Sequence, residues 1–283
     1  MRHQNMVGWV MGVGGLGLLG APAMGQCFDP GSPIATYRVT FVADWSEQSH
    51  PAAFPNNPHF SPLIGGTHSA NVSFWEPGGL ATAGIERMAE TGGTGPLRDE
   101  VQAAISAGTA ASLVTGGGIS LSPGQVVTTF DIVEAFPLVT LVTMIAPSPD
   151  WFVGVHGMSL RDEQGWIRSL EVDLWPYDAG TDSGPSYGSP NADTNPQEPI
   201  RNLTGEFPFE GSGRIGTLVF EAVDQGQFPD LAPPCGSLNF FDVSAYVAAF
   251  ASGDASADVA APFGELNFFD VAAYIAAYSA GLP

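Results

Sequence analysis

Short runs that alternate apolar and polar residues, separated by glycine and proline, fill the chain from about residue 34 to residue 224. Residues 36–42 and 169–175 alternate in this way, which is typical of strands that bury one face. Residues 138–145 are almost continuously apolar and rich in β-branched side chains, so we expect a strand that is buried on both faces. The pattern predicts a mainly β fold, an antiparallel β-sandwich. Further strands are predicted at 71–75, 152–155 and 217–220, and short helices near 83–90 and 98–107.

The charge composition limits the class of partner. The 283 residues include 29 acidic side chains and 8 basic ones, all of them arginine, for a formal net charge of -21. Binding to a phosphate backbone or to an anionic membrane surface needs clustered lysine and arginine, so nucleic acid is not an expected partner. Cations and neutral or basic ligands are favoured instead. Hydrophobic residues make up 44% of the chain, which is enough for a packed core.

The first 25 residues have the pattern of a secretory signal peptide. An apolar run over residues 6–20 is followed by small residues at Ala23 and Gly25, which suit cleavage. The run is too short to span a bilayer, which takes roughly 20 apolar residues, and no later stretch is long and apolar enough. We therefore expect a signal peptide at 1–25, a linker at 26–33 and a secreted product of the extracellular or cell-surface space, without a membrane span.

The residues after about 225 contain an internal repeat. Residues 230–250 recur as residues 258–278 without a gap, and both copies carry the run Leu-Asn-Phe-Phe-Asp. Each copy is typical of a loop followed by one helix with an apolar face. Because two short amphipathic helices bury their faces most easily against each other, we expect one small pseudo-symmetric module at 225–283. The predicted facing residues are Val243, Tyr246, Val247 and Phe250 in the first helix and Val271, Tyr274, Ile275 and Tyr278 in the second.

Three aspartates lie in loops rich in proline and glycine at the ends of predicted strands. Asp150 follows a Pro-Ser-Pro run, and Asp178 and Asp182 belong to the run Asp-Ala-Gly-Thr-Asp-Ser-Gly. Several carboxylates on pliable loops suit a hard cation such as calcium, because two carboxylates about 4 Å apart repel by roughly 4 kcal/mol unless a cation neutralises them. The alternative is that these aspartates cap turns by accepting hydrogen bonds from backbone amides. The spacing alone leaves both interpretations open.

Seven motifs between residues 34 and 224 point to a known family. They are Tyr37-Arg-Val-Thr-Phe41, Asp44-Trp-Ser46, His59-Phe-Ser-Pro-Leu-Ile-Gly65, Thr67-His-Ser69, Ala89-Glu90, the run 147–154 and the run 178–184. Together they resemble the spondin domain family. The resemblance implies a C2-like β-sandwich that binds a calcium ion through Asp150, Asp178 and Asp182. It also implies adhesion at the extracellular matrix or cell surface, with an extracellular protein or glycan as the ligand.

One departure from the spondin pattern concerns the cysteines. The resemblance implies that the N-terminal cysteine pairs with a cysteine at the position that Arg161 occupies in this chain. That pairing is lost here, and Cys235 is the one remaining partner for Cys27 within the chain. We therefore expect a disulfide between Cys27 and Cys235 in an oxidising compartment.

The duplicated C-terminal segment resembles a dockerin, a loop-helix module that docks secreted proteins onto a cohesin. The resemblance implies a cohesin-like partner or a surface anchor for residues 225–283. With Asp242 and Asp270 at the twelfth position of a calcium loop, most of the earlier ligand positions carry side chains without oxygen. The loops are therefore predicted to be degenerate, and we expect Asn239 and Asn267 to cap the helices instead.

These observations favour a secreted, non-enzymatic, calcium-binding adhesion or ligand-binding protein that is docked through its C-terminal repeats. The alternative is a carbohydrate-binding or hydrolytic subunit of an extracellular enzyme complex. Glu171 and Asp173 share one face of a predicted strand and have the residue types of an acid/base pair. That face is opposite Leu170, Val172 and Leu174, so we expect it to lie in open solvent and not in a cleft.

Overall fold

The chain divides into two units, which are Phe28–Gln225 and a second unit that contains Gly226–Pro283. The predicted signal peptide and both cysteines, Cys27 and Cys235, lie outside the described residues, so the disulfide stays a prediction. The computed structural model describes residue 28 and residues 30–210, 213–223, 229–232 and 237–281.

The first unit is built mainly from β-strands, with two helices between the third and the fourth strand. Every strand pair among the described residues is antiparallel. This confirms the predicted mainly β chain with few helices. The strands are β1 (Ile34–Ala43), β2 (His59–Phe60), β3 (Ile64–His68), β4 (Ala110–Thr115), β5 (Gly124–Val133), β6 (Leu138–Ala146), β7 (Trp151–Ser159), β8 (Arg161–Asp162), β9 (Gly165–Trp166), β10 (Ser169–Leu174), β11 (Tyr177–Asp178), β12 (Arg201–Asn202) and β13 (Gly216–Val223), and the helices are α1 (Ala83–Thr91) and α2 (Gly95–Ser106).

The strands form two large sheets and one small hairpin. The four-stranded sheet has the order β10-β13-β1-β5. The seven-stranded sheet has the order β12-β11-β7-β6-β3-β4, and β2 pairs with β6. In β1 the buried residues Tyr37, Val39 and Phe41 alternate with more exposed ones, so one face of this strand points into the core. The short strands β11 and β12 extend the larger sheet beyond β7, and this edge carries the candidate site.

Strand β6 contributes to two separate cores. Its residues Leu141 and Ile145 belong to a core that also contains residues of the four-stranded sheet. Val142 and Met144 point the other way, into a core shared with α1 and α2. Burial on both faces explains why the run is continuously apolar, and it confirms the sequence prediction for this strand.

The prediction of a strand at 71–75 is wrong, because these residues form a turn and an irregular segment. Phe74 and Trp75 are both buried in the core shared with α1 and α2. The Trp75 ring packs edge-on against Phe152 with 4.9 Å between ring centroids. Consecutive side chains of a regular strand point to opposite faces, so Phe74 and Trp75 could not both enter the same core from a strand, and tertiary packing outweighs the local alternation here.

The described residues of the second unit form two α-helices of identical length, α3 (Phe240–Ser252) and α4 (Phe268–Ala280), with a short 3-10 helix at Ala255–Ala257 between them. The side chains of Asn239 and Asn267 accept hydrogen bonds from the backbone N–H groups of Phe241 and Phe269, which confirms the predicted caps. Each cap is part of a reciprocal capping box with the aspartate three residues later.

The facing surfaces of α3 and α4 meet at a pair of tyrosines. The rings of Tyr246 and Tyr274 stack at 4.0 Å, and both residues are buried. Val247 and Ile275 are each 57% exposed, so the prediction that the whole apolar face is buried is wrong for these two residues. They line an open apolar groove of about 190 Å³ formed by both helices, because the tyrosine stack covers only part of each face.

Within the described residues, none of the helices combines the length and the apolar character that crossing a bilayer requires.

Candidate functional site

The candidate site lies at the edge of the larger sheet where β7 pairs with β11. Asp150 directly precedes β7, and Asp178 ends β11 opposite Trp151. The backbone N–H of Ala179 donates to the carbonyl oxygen of Asp150 at 3.1 Å. This pairing brings the loop that follows β11 over the side chain of Asp150, so the strand register places the predicted aspartates in one region.

The carboxylate of Asp150 is fully buried, and its two oxygens differ in their hydrogen bonding. Its Oδ2 atom accepts hydrogen bonds from the backbone N–H groups of Thr181 at 2.8 Å and Asp182 at 3.1 Å. The Thr181 hydroxyl adds a third contact at 3.3 Å. The Oδ1 atom is buried and has no hydrogen-bond partner among the described residues. A buried carboxylate oxygen without a partner is costly, so this position favours a proton or a cation.

Asp178 and Asp182 both cap turns of the loop that covers Asp150. Oδ1 of Asp178 accepts from the N–H of Gly180 at 2.8 Å, and Oδ1 of Asp182 accepts from the N–H of Gly184 at 2.8 Å. Oδ2 of Asp182 accepts from the N–H of Ala192 at 3.0 Å. The turn-capping interpretation is therefore correct for these two residues. These hydrogen bonds leave the carboxylates able to bind a further partner, because each carboxylate oxygen can accept more than one interaction.

The electrostatics of the site are those of crowded negative charge. The pKa of Asp150 is raised from 3.8 to about 7, mainly by burial and then by the neighbouring charges of Asp178 and Asp182, against the opposing hydrogen bonds from the backbone amides of Thr181 and Asp182. Burial also raises the pKa of Asp178, while the N–H of Gly180 and the charge of Arg201 oppose that rise. The site therefore resists carrying its full negative charge unless a cation compensates it.

A cleft of about 460 Å³ opens beside these carboxylates. Arg201 is the one basic side chain among the described residues that line it. Arg201 stands on β12 directly opposite Asp178 on β11, and its Nη2 atom lies 3.1 Å from Oδ2 of Asp178. The Nη1 atom of the same guanidinium contacts Glu206. The acidic residues that line the cleft are Asp178, Asp182, Glu198 and Glu206.

The residues present fit a hard cation in charge and in donor chemistry. Calcium takes several oxygen ligands, and Asp150, Asp178 and Asp182 supply carboxylates beside a buried oxygen that lacks a partner. In the part of the chain that the structure describes, no three His, Cys, Asp or Glu side chains lie close enough together to hold a metal ion as they stand. Backbone amides and Arg201 engage the carboxylates instead.

The sequence singled out the three aspartates but missed Arg201, Glu198 and Glu206. These residues follow a long irregular segment, and their relation to Asp178 depends on the pairing of two strands of only two residues each. A usable signal was the rarity of basic residues: Arg201 is one of 8 in the chain and stands between two acidic residues of the same segment.

The pair that carried the hydrolytic alternative lies elsewhere. Glu171 and Asp173 are exposed on β10, as predicted, at an edge of the four-stranded sheet. Asp173 forms an exposed ion pair with Arg214 at 3.1 Å. Neither residue lines the cleft beside Asp178.

In the second unit, Asp242 and Asp270 lie in the first turns of α3 and α4, and their carboxylates accept hydrogen bonds from backbone amides. Oδ1 of Asp242 accepts from the N–H groups of Leu231 and Ala232, each at 2.8 Å, and Oδ2 accepts from the N–H of Asn239 at 2.7 Å. Asp270 repeats this arrangement with the N–H groups of Val259, Ala260 and Asn267. Each fully buried carboxylate thus holds its own loop onto its own helix.

Comparison with known proteins identifies relatives of the first unit. The Spondin_N family model matches residues 35–214. Spondin-1 of Homo sapiens is 40% identical over 207 residues, which cover 67% of this chain and 25% of that protein. Spondin-2 of Homo sapiens is 34% identical over 197 residues, which cover 68% of this chain and 60% of that protein. The chain therefore spans about a quarter of the length of the spondin-1 proteins that it matches.

Proposed function

The chain belongs to the spondin family, and because of this membership we propose that it is a secreted, calcium-binding adhesion protein. Its ligand is an extracellular protein or glycan, and the chain performs no catalysis. The two sheets form a C2-like sandwich that carries the calcium site at one edge. The C-terminal repeats dock the molecule outside the cell.

The observation that carries the calcium proposal is the buried Oδ1 atom of Asp150, which has no hydrogen-bond partner among the described residues. Asp150, Asp178 and Asp182 would hold the ion. A bound calcium ion supplies a divalent charge that neutralises carboxylates and orders the loops that carry them. The loop after β11 also lines the cleft through Ser183 and Gly184, so the state of this loop determines the shape of the cleft.

Calcium titration of the wild-type chain tests the site. We expect one calcium ion to bind, with a rise in melting temperature that corresponds to about 2.7 kcal/mol when free calcium is a hundred times the dissociation constant. Asp182→Asn keeps the shape of the side chain but removes a negative charge, so calcium affinity should fall at least tenfold. Isothermal titration calorimetry and thermal melting measure both effects.

Glu171→Gln is the matched control for this titration, because it removes one negative charge from an exposed position on β10. Its calcium affinity should equal that of the wild type. An Asp182→Asn variant that binds calcium as tightly as the control would show that Asp182 is not a calcium ligand.

The ligand-binding part of the proposal has its own experiment. Labelled protein should bind an array of extracellular matrix proteins or glycans in the presence of calcium, and a chelator should reduce that binding. Turnover of a glycan with no change on chelation would instead favour the hydrolytic alternative.

Docking through the C-terminal repeats is supported by an apolar stripe in which Phe240, Val247, Phe268 and Ile275 are exposed, whereas Val243 and Val271 are half-buried. Phe240, Val243 and Val247 follow one face of α3 at helical spacing, and Phe240 is 75% exposed. Phe268, Val271 and Ile275 repeat the stripe on α4, where Phe268 is 77% exposed. We call these six residues the apolar stripe. The segment 225–283 contains no basic residue, so an apolar partner surface with a basic rim complements it, whereas a second acidic copy does not.

Replacing Phe240 and Phe268 together with serine should reduce retention of the protein on the surface of the producing cell at least tenfold, because aromatic anchors dominate such interfaces. Phe241 and Phe269 give a matched control, since each is 61% exposed and lies about 100° around the helix from its neighbour in the stripe. The double Phe241→Ser, Phe269→Ser variant should be retained like the wild type. Equal retention of both double variants would exclude the apolar stripe as the docking surface.

A further inference from the structure

Arg201 occupies a special position beside the candidate calcium site. It pairs across the β11–β12 ladder with Asp178, one of the proposed calcium ligands. Its guanidinium is shared between two carboxylates, with Nη2 at 3.1 Å from Oδ2 of Asp178 and Nη1 on Glu206. The cleft presents no second basic side chain within the described residues.

The two carboxylates that share Arg201 differ in burial. The side chain of Asp178 is 13% exposed, whereas that of Glu206 is 55% exposed. Solvent therefore screens the charge of Glu206 but leaves most of the charge of Asp178 to be compensated by the protein. Arg201 provides that compensation in the arrangement that the structure shows.

A guanidinium on Asp178 and a divalent cation on the same carboxylate oppose each other electrostatically. Two positive charges a few ångströms apart in a half-buried site repel strongly, and only one of them can neutralise Asp178 fully. Arg201 is 46% exposed, and Glu206 lies within its reach, so the guanidinium can stay paired when it gives up Asp178.

We infer that Arg201 is an internal counter-ion that competes with calcium for Asp178, and that Glu206 holds Arg201 when calcium is bound. This inference rests on the proposed calcium function and adds its regulation. Arg201 stabilises the calcium-free protein and lowers its calcium affinity, so that the ion is bound reversibly. The role is one of positioning, because Arg201 acts on the ion through Asp178.

Calcium affinity of Arg201 variants tests the inference. At pH 8 and low ionic strength, Arg201→Gln should bind calcium about tenfold more tightly than the wild type and should melt at a lower temperature without calcium. Arg201→Lys restores the positive charge and should return the affinity to within about threefold of the wild type. Calorimetry and calcium-free melting give the two readouts.

Arg214→Gln is the matched control. Arg214 also bridges two carboxylates, Asp44 at 2.9 Å and Asp173 at 3.1 Å, and its side chain is 43% exposed. It does not line the cleft. Its replacement should leave the calcium affinity within about twofold of the wild type, because it changes only the distant net charge.

Glu206 variants separate an indirect role from direct ligation. Glu206→Gln should weaken calcium binding about threefold in the wild-type background, because Arg201 then stays on Asp178. In the Arg201→Gln background the same replacement should have no effect, whereas a direct calcium ligand would weaken binding in both.

The outcomes distinguish the two proposals. A wild type that binds calcium and an Arg201→Gln variant with equal or weaker affinity would overturn the role of Arg201 alone. Absence of calcium binding in both proteins would overturn the calcium function and the role of Arg201 with it. Calcium binding by Arg201→Gln but not by the wild type would support the competition by Arg201 and would overturn the calcium function of the wild-type chain.

Discussion

Replacing Asp150 with asparagine should stabilise the calcium-free protein at pH 8 and abolish its response to calcium. The pKa of Asp150 is raised from 3.8 to about 7. The native state therefore binds the carboxyl proton of Asp150 more tightly than the unfolded chain does. The stabilisation is fully present below pH 3.8 and is lost as the pH rises through about 7. The difference between these two pKa values corresponds to about 4 kcal/mol once the carboxyl group is charged.

Asparagine avoids this cost because it carries no charge at any pH. Its oxygen can accept the amide hydrogen bonds that Oδ2 of Asp150 now accepts from Thr181 and Asp182. Its amide nitrogen then occupies the position of Oδ1 and needs an acceptor, which offsets part of the gain. We therefore expect the free energy of unfolding at pH 8 to rise by about 1–3 kcal/mol without calcium, and the calcium-induced rise in melting temperature to disappear.

Urea unfolding at pH 5 and pH 8, with calcium and with a chelator, measures both parts of this prediction. The advantage of Asp150→Asn over the wild type should be larger at pH 8 than at pH 5, since only the wild type carries at position 150 a charge that changes over this range. The exposed Glu171→Gln replacement should show no such pH-dependent difference. A calcium response that survives in Asp150→Asn would place the ion elsewhere.

The sequence located the aspartates of this site because their loops carry a local signal. Pro147 and Pro149 precede Asp150, and Gly180 and Gly184 follow the other two aspartates, so each carboxylate had to lie at a strand end. What brings them together is the pairing of β7 with β11, which is a contact between segments about 27 residues apart. Arg201 depends on the still shorter pairing of β11 with β12, and no periodicity reveals the register of a two-residue strand.

The strands show the same division between local and long-range information. β6 was predictable because burial on both faces leaves a continuous apolar run. β5 was missed although it has 10 residues and pairs along the full length of β1, because its outward face and several other positions are polar or only half-buried. At 71–75 the apolar residues pack into a core without forming a strand, so composition alone misassigned them.

In the second unit the repeat and its helix caps were predictable from the sequence, but the function of Asp242 and Asp270 was not. A calcium loop ends in a carboxylate that binds the ion, and Asp242 has the sequence position of that ligand. Its two oxygens instead accept three backbone N–H groups, two from the start of the loop and one from the helix cap. The carboxylate thus performs the linking role that a metal ion has in a calcium loop.

Replacing Asp242 with alanine should therefore unfold the second unit, with or without calcium. The change removes the shared acceptor of three buried or half-buried N–H groups, each of which contributes about 1.5–3 kcal/mol when the acceptor is charged. A unit of this size has a total stability of roughly 3–8 kcal/mol, so the loss is comparable to the whole. Hydrogen exchange at α3 and α4 should rise to the rate of unfolded peptide, while exchange in β6 stays slow.

Glu265→Ala is the matched control, because it removes one negative charge from an exposed position of the same unit. Exchange in α3 and α4 should be unchanged by this replacement. It should also be unchanged by calcium or a chelator in the wild type, since Asp242 and Asp270 already bind their amides. Protection of these helices by calcium, or slow exchange in Asp242→Ala, would show that the loops are held together by something other than the two aspartates.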